Sequence, residues 1–259
     1  MPAFELTTGR VPLLISIPHN SSVIPAELAT NMTDVGRSSI DTDWFLDRLY
    51  DFANELGASR ILPEFSRYVI DLNRPQTDES LYPGQTTTGL FPHESFDGEP
   101  LFVEPRTDQD KSAFVESHWR PYHSAIQTEL TRIRDEHGRA VLFEAHSIAS
   151  RVPRLFDGQL PDFNFGTNNG VTCAQSLTER LLDTVAQCDD YSHVFNGRFV
   201  GGYITRAYGD PANGIHAVQL ELSQATYLDE ETKAWSQPKV DQVQPVLRAV
   251  LEKILDWVA

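Results

Sequence analysis

The chain has 259 residues, of which 40% are hydrophobic, and its formal net charge is −16 at pH 7. This length and composition predict one domain, residues 1–259, or at most two small ones, with a core that needs no disulfides. The acidic surface repels phosphate backbones and argues against binding to nucleic acids. A local cluster of arginines can still bind an anionic ligand inside an acidic protein.

The two cysteines are predicted to be reduced thiols. Cys173 and Cys188 flank a helix-like segment, and a helix of that length would hold them roughly 20 Å apart, too far for a disulfide. The N-terminus lacks the basic start and apolar core of a signal peptide, and no apolar run is long enough for a membrane span. We therefore expect a cytoplasmic protein without a membrane partner.

Hydrophobic periodicity predicts strands and helices that alternate along the chain. In chain order they are a strand at 11–17, an irregular stretch at 18–40, a helix at 43–57, strands at 59–62 and 68–72, an irregular stretch at 75–106, a helix at 109–137 interrupted at Pro121, a strand at 140–144, an irregular stretch at 150–169, a helix at 173–187, strands at 200–205 and 216–222, and a helix at 242–258. This order favours a single α/β domain with a mixed, mostly parallel central sheet and helices on both faces.

Two histidines end apolar runs that are predicted to be buried strands. His19 follows residues 13–18, and His146 follows residues 141–145. Because parallel strands deliver functional groups to the crevice at their carboxyl ends, two imidazoles placed there predict a metal site. Glu144 shares the side of the strand that carries His146, so it either orients the imidazole or is a ligand itself.

A third ligand is needed, because zinc in a hydrolase usually has three protein ligands and one position for water. Asp41 and Asp43 stand where a loop meets a predicted helix. An aspartate at a helix start is also an ordinary cap, so this position alone does not distinguish a ligand from a cap.

Two arginines lie close to the predicted strand 68–72. Arg67, Asn73 and Arg74 combine guanidinium and amide donors, which suit a carboxylate ligand. The competing interpretation is a surface ion pair between these arginines and Asp71.

The predicted strand 216–222 carries two polar side chains, Gln219 and Glu221, on one of its sides. A glutamate in such an apolar strand is costly unless it is used or paired, so Glu221 is either a general base or part of a structural ion pair. The glycines at 201–202 permit close backbone approach and are expected to aim Arg206 into the same crevice.

Short motifs along nearly the whole chain resemble the N-formylglutamate amidohydrolase family. They are Ser16-Ile17-Pro18-His19, Asp41-Thr42-Asp43-Trp44, Ser66-Arg67, Asp71-Leu72-Asn73-Arg74-Pro75, Thr88-Gly89-Leu90, Trp119-Arg120-Pro121-Tyr122-His123, Ala145-His146-Ser147, Ser150-Arg151-Val152-Pro153, Leu155-Phe156-Asp157-Gly158, Asn196-Gly197-Arg198-Phe199, Gly201-Gly202, Gly209-Asp210-Pro211 and Gln219-Leu220-Glu221-Leu222. Each motif alone is weak evidence for the family, but their order and number make the resemblance specific. It implies hydrolysis of N-formyl-L-glutamate to formate and L-glutamate, a late step of histidine degradation. It also implies a fold similar to that of the zinc carboxypeptidases and aspartoacylases.

The resemblance implies that His19 and His146 bind one zinc ion. The related zinc enzymes have a glutamate ligand three residues after the first histidine, but here that residue is Ser22. We therefore expect Asp43 as the third ligand, with Asp41 as the alternative, since the spacing resembles the zinc-dependent cell-wall amidases. A mixed histidine and carboxylate site also accepts manganese, cobalt or iron.

The resemblance implies two further roles, and the chemistry of the arginines suggests the others. It implies that Glu221 is the base and that Asn73 and Arg74 bind a substrate carboxylate. Arg67 is assigned to the negative charge that develops on the formyl oxygen. Arg74 and Arg206 are assigned to the two carboxylates of the substrate.

Two alternatives stay open at this point. The protein either releases another acyl group, such as acetyl or succinyl, or trims a peptide, or it is a metal-free dicarboxylate-binding protein in which only the arginines matter. In the leading interpretation the expected partner is a small-molecule dicarboxylate, and the irregular stretch 75–106 is expected to close over it. No feature of the sequence predicts the oligomeric state.

Overall fold

The computed structural model describes residues 3–81, 84 and 86–258. Within them, the central element is a seven-stranded sheet with the strand order β1-β3-β2-β4-β7-β5-β6. Its strands are β1 (Phe4–Thr7), β2 (Leu13–Ser16), β3 (Ser59–Pro63), β4 (Ala140–Ile148), β5 (Phe163–Gly166), β6 (His193–Phe195) and β7 (Ile215–Ser223). A separate two-stranded sheet consists of β8 (Leu228–Asp229) and β9 (Ala234–Trp235).

The sheet is mixed and mostly parallel, as predicted. Strand β2 is parallel to both β3 and β4, β4 is parallel to β7, and β5 is parallel to β6. The antiparallel pairs are β1 with β3 and β5 with β7. The carboxyl ends of β2, β4 and β7 therefore lie together at one edge of the sheet, where an α/β protein forms its crevice.

Helices cover both faces of this sheet. They are α1 (Ala26–Ala29), α2 (Asp34–Ser38), α3 (Leu46–Leu49), α4 (Ala53–Leu56), α5 (Asp108–Phe114), α6 (Arg120–His137), α7 (Gln175–Ala186), α8 (Tyr203–Tyr208) and α9 (Gln237–Val258). Alternate residues of β4 pack on opposite faces. Val141 and Phe143 belong to the core cluster that contains α3, α7 and α9, whereas Leu142 belongs to the cluster that contains α6.

The long predicted helix 109–137 is confirmed, and so is its interruption near Pro121. A five-residue π-helical turn, Val115–Trp119, joins α5 to α6, and Pro121 lies in the first turn of α6. A proline lacks an N–H group and crowds the preceding turn, so a locally wider turn accommodates it.

The predicted helix 43–57 is divided in the structure. Phe45 has a φ of 58° and precedes α3, and Gly57 ends α4 with a φ of 80°. The prediction of one helix was wrong: the left-handed Phe45 delays the helix start to Leu46, and residues 50–52 form turns between α3 and α4. Asp43 therefore caps no helix, since the residue at the N-terminal cap of α3 is Phe45.

Most of the other differences between the predicted and the observed secondary structure lie in short segments. Residues 68–72 form turns, and the predicted strand 200–205 runs into α8 instead. The stretch 150–169 contains β5, and the stretch 18–40 contains α1 and α2. Runs of this length do not distinguish strands from turns and short helices by periodicity.

Both cysteines are free, as predicted, with Cys173 buried and Cys188 partly exposed. None of the helices in the described ranges has the length and apolar content needed to cross a bilayer.

Candidate active site

Two histidines and an aspartate meet at the carboxyl edge of the sheet. His19 lies three residues beyond β2, and His146 lies inside β4, which extends to Ile148 instead of ending at Glu144 as predicted. One ligand atom from each of His19, Asp43 and His146 lies within 4.8 Å of the others, and all three residues are buried. The structure thus brings together the three residues predicted to bind a metal.

Each imidazole has an outer carboxylate partner. His19 Nε2 donates to Asp71 Oδ1 at 2.7 Å, and its buried Nδ1 has no hydrogen-bond partner within the described residues and lies 3.8 Å from Asp43 Oδ2. His146 Nε2 donates to Glu144 Oε1 at 2.8 Å, and its Nδ1 lies 2.9 Å from Asp43 Oδ2. An outer carboxylate that orients the ring is typical of metal-binding histidines.

Glu144 and Asp41, the other acidic residues considered as ligands, form hydrogen bonds to other groups. Glu144 uses its second oxygen, Oε2, to accept from the backbone N–H of Thr205 at 3.0 Å, so its geometry is that of an orienting partner rather than a ligand. Asp41 Oδ2 accepts from the Tyr68 hydroxyl at 2.6 Å and from the backbone N–H of Phe96 at 2.7 Å. Asp41 is not part of the histidine and aspartate cluster.

The two imidazoles have opposite electrostatic surroundings. Burial and the positive charge of Arg67 lower the pKa of His19 to about 4, so its Nδ1 carries a lone pair. Burial also lowers the pKa of His146, but the hydrogen bonds to Asp43 and Glu144 outweigh burial and raise it to about 10. A metal ion bound here would displace the proton that His146 shares with Asp43, because ligands bind metals in their deprotonated form.

Glu221 approaches the same cluster from strand β7. Its Cα is paired in register with that of His146, and both side chains line one pocket. Burial raises the pKa of Glu221 to about 8, an effect that His146 opposes and Asp43 reinforces. Within the described residues its carboxylate makes neither a hydrogen bond nor an ion pair, so the structural ion pair considered above is not seen. A buried carboxylate without a structural partner is available for proton transfer.

Arg67 lies between two of the acidic groups. Its Nη2 donates to Asp71 Oδ2 at 2.9 Å, and its Nη1 lies 3.9 Å from Asp43 Oδ1. Its guanidinium also lies over the Phe96 ring, 4.8 Å from the ring centre. Arg67 and His19 line the same pocket, so a positive group faces the space beside the candidate metal ligands.

Two more arginines border this pocket, Arg74 and Arg198. Arg74 donates from Nε to the backbone oxygen of Thr88 at 2.7 Å and from Nη2 to the Thr88 hydroxyl at 3.1 Å. Arg198 donates from Nε to the backbone oxygen of Leu155 at 2.9 Å. Thr86, Thr87 and Thr88 line the pocket too, so the irregular stretch 75–106 contributes part of its wall.

Asn73 lies between His146 and the start of α8. Its Nδ2 lies 3.0 Å from His146 Nε2, and its Oδ1 accepts from the backbone N–H of Ile204 at 2.9 Å. Both polar atoms of the side chain therefore contact the protein. Asn73 lines the pocket with its Oδ1 held by the backbone of α8 and its Nδ2 beside the His146 ring.

Arg206 does not line this pocket within the described residues. Its Nε donates to the backbone oxygen of Gly201 at 2.9 Å and its Nη1 to that of Leu81 at 3.1 Å. The prediction assumed a strand over 200–205, whose end would have pointed into the crevice. The chain instead enters α8, and the helix directs Arg206 elsewhere.

Sequence reasoning missed two residues of the site. Asp71 was considered only as an ion-pair partner, whereas it holds both His19 and Arg67. Asp71 lies in the motif Asp71-Leu72-Asn73-Arg74-Pro75 of the family resemblance, but nothing in that motif points to His19, which is 52 residues away in the chain. Arg198 lies in the motif Asn196-Gly197-Arg198-Phe199, which contributed to the family resemblance and was the one available signal.

Known proteins resemble this chain along almost all of its length. The model of the N-formylglutamate amidohydrolase family matches residues 11–228. The chain is 50% identical to the N-formylglutamate deformylase of Pseudomonas putida and 48% identical to that of Pseudomonas aeruginosa, with 96% of this chain and 94% of each relative aligned.

Solved structures agree with the predicted α/β fold. The N-formylglutamate amidohydrolase from Ralstonia eutropha has a TM-score of 0.86 at 21% identity, over 100% of this chain and 99% of that one. A protein from Agrobacterium tumefaciens has a TM-score of 0.75 at 19% identity, over 100% of this chain and 95% of that one. The family resemblance seen in the motifs is confirmed, and the chain belongs to the N-formylglutamate amidohydrolase family.

Proposed function

We propose that this protein hydrolyses N-formyl-L-glutamate to formate and L-glutamate with the help of one bound divalent metal ion, with zinc as the first choice. The substrate is supported by the two Pseudomonas relatives, which are named N-formylglutamate deformylases. The observation that carries the proposal is the convergence of His19, Asp43 and His146 within 4.8 Å. Glu221 reaches the same pocket from the neighbouring strand.

The donor set fits a hydrolytic metal centre. Two imidazoles and one carboxylate make up a three-ligand set that leaves a position for water on zinc. The buried Nδ1 of His19, which has no hydrogen-bond partner in the described ranges, is explained if a cation accepts its lone pair. The same ligands also bind manganese, cobalt or iron, so the metal content must be measured.

A metal ion bound there supplies Lewis-acid activation of a water molecule and of the formyl carbonyl. Glu221 takes the proton from the attacking water and delivers it to the amide nitrogen as the C–N bond breaks. Its burial and its lack of a structural partner suit a group that must both accept and return a proton.

Three arginines of the pocket are assigned to the negative charges of the substrate and of the reaction. Arg67 faces the pocket beside Asp43, where it stabilises the negative charge that develops on the formyl oxygen. Arg74 and Arg198 lie on the pocket wall and neutralise the carboxylates of the substrate, with Arg198 replacing the predicted Arg206. We assign the reaction to histidine degradation, as the family resemblance implies.

Formate release from N-formyl-L-glutamate tests the proposal. The protein is assayed as purified, after removal of metal with a chelator, and after zinc is returned. We expect activity that the chelator abolishes and zinc restores, and little release from N-acetyl- or N-succinyl-L-glutamate. Well-folded, zinc-loaded protein that releases no formate would contradict the proposed substrate. Substrate affinity that survives chelation and a His19→Ala substitution, without turnover, would favour the metal-free dicarboxylate-binding protein.

A matched variant tests the role of Glu221. The substitution Glu221→Gln keeps the shape and removes the basic group, so we expect loss of kcat with retained zinc binding. A variant with the turnover of the wild type would exclude Glu221 as the base.

A further inference from the structure

Gln219 is a buried polar residue whose part in the reaction is not yet explained. It lies in β7 on the same side as Glu221, and both side chains line the pocket. Its Cα is paired in register with that of Glu144, just as the Cα of Glu221 is paired with that of His146. Gln219 is only 3% exposed, so the small accessible part of its side chain faces the pocket.

The orientation of the Gln219 amide is determined by one hydrogen bond. The backbone N–H of Gly202 donates to Gln219 Oε1 at 2.6 Å, so the oxygen faces α8 and the NH2 group faces away from it. Within the described residues, Nε2 makes no hydrogen bond. Nε2 is also absent from the buried atoms that lack a partner, so it is accessible from the pocket. The protein therefore presents an amide donor to whatever occupies this space.

The backbone around Gly202 orients a second amide in the same way. The N–H of Ile204 donates to Asn73 Oδ1 at 2.9 Å, and Asn73 Nδ2 lies against His146. A Cβ atom at Gly202 would lie 2.3 Å from Asn73 Nδ2, so only glycine permits this close approach. One amide is thus directed at the candidate metal ligand, and the other, that of Gln219, is directed at the pocket.

We propose that Gln219 is a specificity-determining residue that donates from Nε2 to the α-carboxylate of the substrate. This inference rests on the proposed function. Residues two apart on a strand are about 6.6 Å apart, so Gln219 lies one such step along β7 from Glu221. With the formyl carbon beside Glu221, the α-carboxylate is three covalent bonds away, and the side-chain carboxylate is five. An extended path of three bonds spans about 3.8 Å, and a hydrogen bond of about 2.9 Å from Nε2 completes the step to Gln219. The side-chain carboxylate reaches about 2.5 Å farther along an extended path, toward Arg74 and Arg198.

The rival explanation is that Gln219 only anchors Gly202. The substitution Gln219→Glu separates the two roles, because one carboxylate oxygen still accepts from the Gly202 N–H while the other replaces the donor with a negative charge. A hydrogen bond to a charged group corresponds to about 10- to 100-fold in affinity. We expect KM for N-formyl-L-glutamate to rise by at least this factor, with zinc content close to the wild type. Gln219→Leu removes both bonds and should also lower Tm, and Gln187→Glu on the exposed end of α7 controls for the added charge.

Two substrate analogues identify the carboxylate. N-formyl-4-aminobutanoate lacks the α-carboxylate, and N-formyl-L-norvaline lacks the side-chain carboxylate. As competitive inhibitors of L-glutamate release from N-formyl-L-glutamate, they should respond differently to Gln219→Glu. We expect the inhibition constant of the norvaline compound to rise by the same factor as KM, and that of the aminobutanoate compound to stay near its wild-type value.

Three results would count against the inference. An unchanged KM in Gln219→Glu would reduce Gln219 to an anchor for Gly202. A penalty that follows the side-chain carboxylate would move the contact to the other end of the substrate. Unaltered selectivity between the two analogues would exclude recognition of either carboxylate. Wild-type protein that releases no formate would instead overturn the proposed function, and that outcome is seen before any variant is compared.

Discussion

Replacing Asp71 with asparagine is expected to weaken zinc binding, although Asp71 is not a proposed ligand. Its Oδ1 accepts from His19 Nε2 at 2.7 Å and from the backbone N–H of Asn73 at 2.9 Å. Its Oδ2 accepts from Arg67 Nη2 at 2.9 Å. Burial raises the pKa of Asp71, but the charges of Arg74, His19 and Arg67 outweigh burial and hold the pKa well below its usual value. A buried carboxylate thus keeps the His19 ring oriented with Nδ1 toward Asp43.

The size of the effect follows from these contacts. In Asp71→Asn the amide oxygen still accepts from His19, but the negative charge is lost and an NH2 group meets Arg67. Loss of an outer carboxylate on a metal-binding histidine costs about 10- to 100-fold in metal affinity, which is about 1.4 to 2.7 kcal/mol. Arg67 also loses its nearest buried counter-ion, so the free energy of unfolding should fall by about 3 kcal/mol.

Competition with a chromophoric zinc chelator measures the affinity, and urea unfolding of the zinc-free protein measures the stability. Asp41→Asn is the matched control, because Asp41 is bonded to Tyr68 and Phe96 and touches neither histidine. This control should bind zinc as tightly as the wild type. Wild-type zinc affinity in Asp71→Asn, or equal losses in both variants, would refute the orienting role of Asp71.

Three further predictions concern other parts of the molecule. Asp43→Asn should weaken zinc binding by more than the ~100-fold limit typical of outer partners, and a near-normal zinc affinity would remove Asp43 from the ligand set. Trp119→Phe removes the hydrogen bond from the indole Nε1 to the backbone oxygen of Arg74, so thermal melting should report a loss of about 1 kcal/mol and KM should rise more than kcat falls. Burial raises the pKa of the Cys173 thiol to about 11, so at pH 8 about one molecule in a thousand carries its thiolate. A thiol reagent should therefore modify Cys188 first and Cys173 only on unfolding, and equal rates in the native protein would contradict this.

Long periodic segments were predictable from the sequence because their pattern has room to repeat. The helix 109–137 spans several turns and appears with its interruption beside Pro121, and strand 216–222 appears as β7. Short runs were not predictable. Residues 200–205 enter α8, and residues 68–72 form turns, because so few residues do not define a period.

The residues of the candidate site also differ in how far the sequence alone could predict them. His19, His146 and Glu221 could be named from the sequence, because each follows or interrupts an apolar strand where an unpaired polar group is costly. The amino acids also carried enough ordered motifs to predict the family and its α/β fold. The sequence did not predict that Arg206 lies on the helix α8, because residues 200–205 were expected to form a strand.

The amino-acid order alone restricted the chemistry to a few histidines, carboxylates and arginines, but not their arrangement. The sequence spacing does not distinguish Asp43 from Asp41 as a metal ligand. In the structure Asp41 accepts a hydrogen bond from the backbone of Phe96, 55 residues further along the chain. Asp43 meets His146 across 103 residues. Contacts of this kind form only when distant segments close on one another, and no local periodicity records them, so the folded chain places Asp43, not Asp41, beside the histidines.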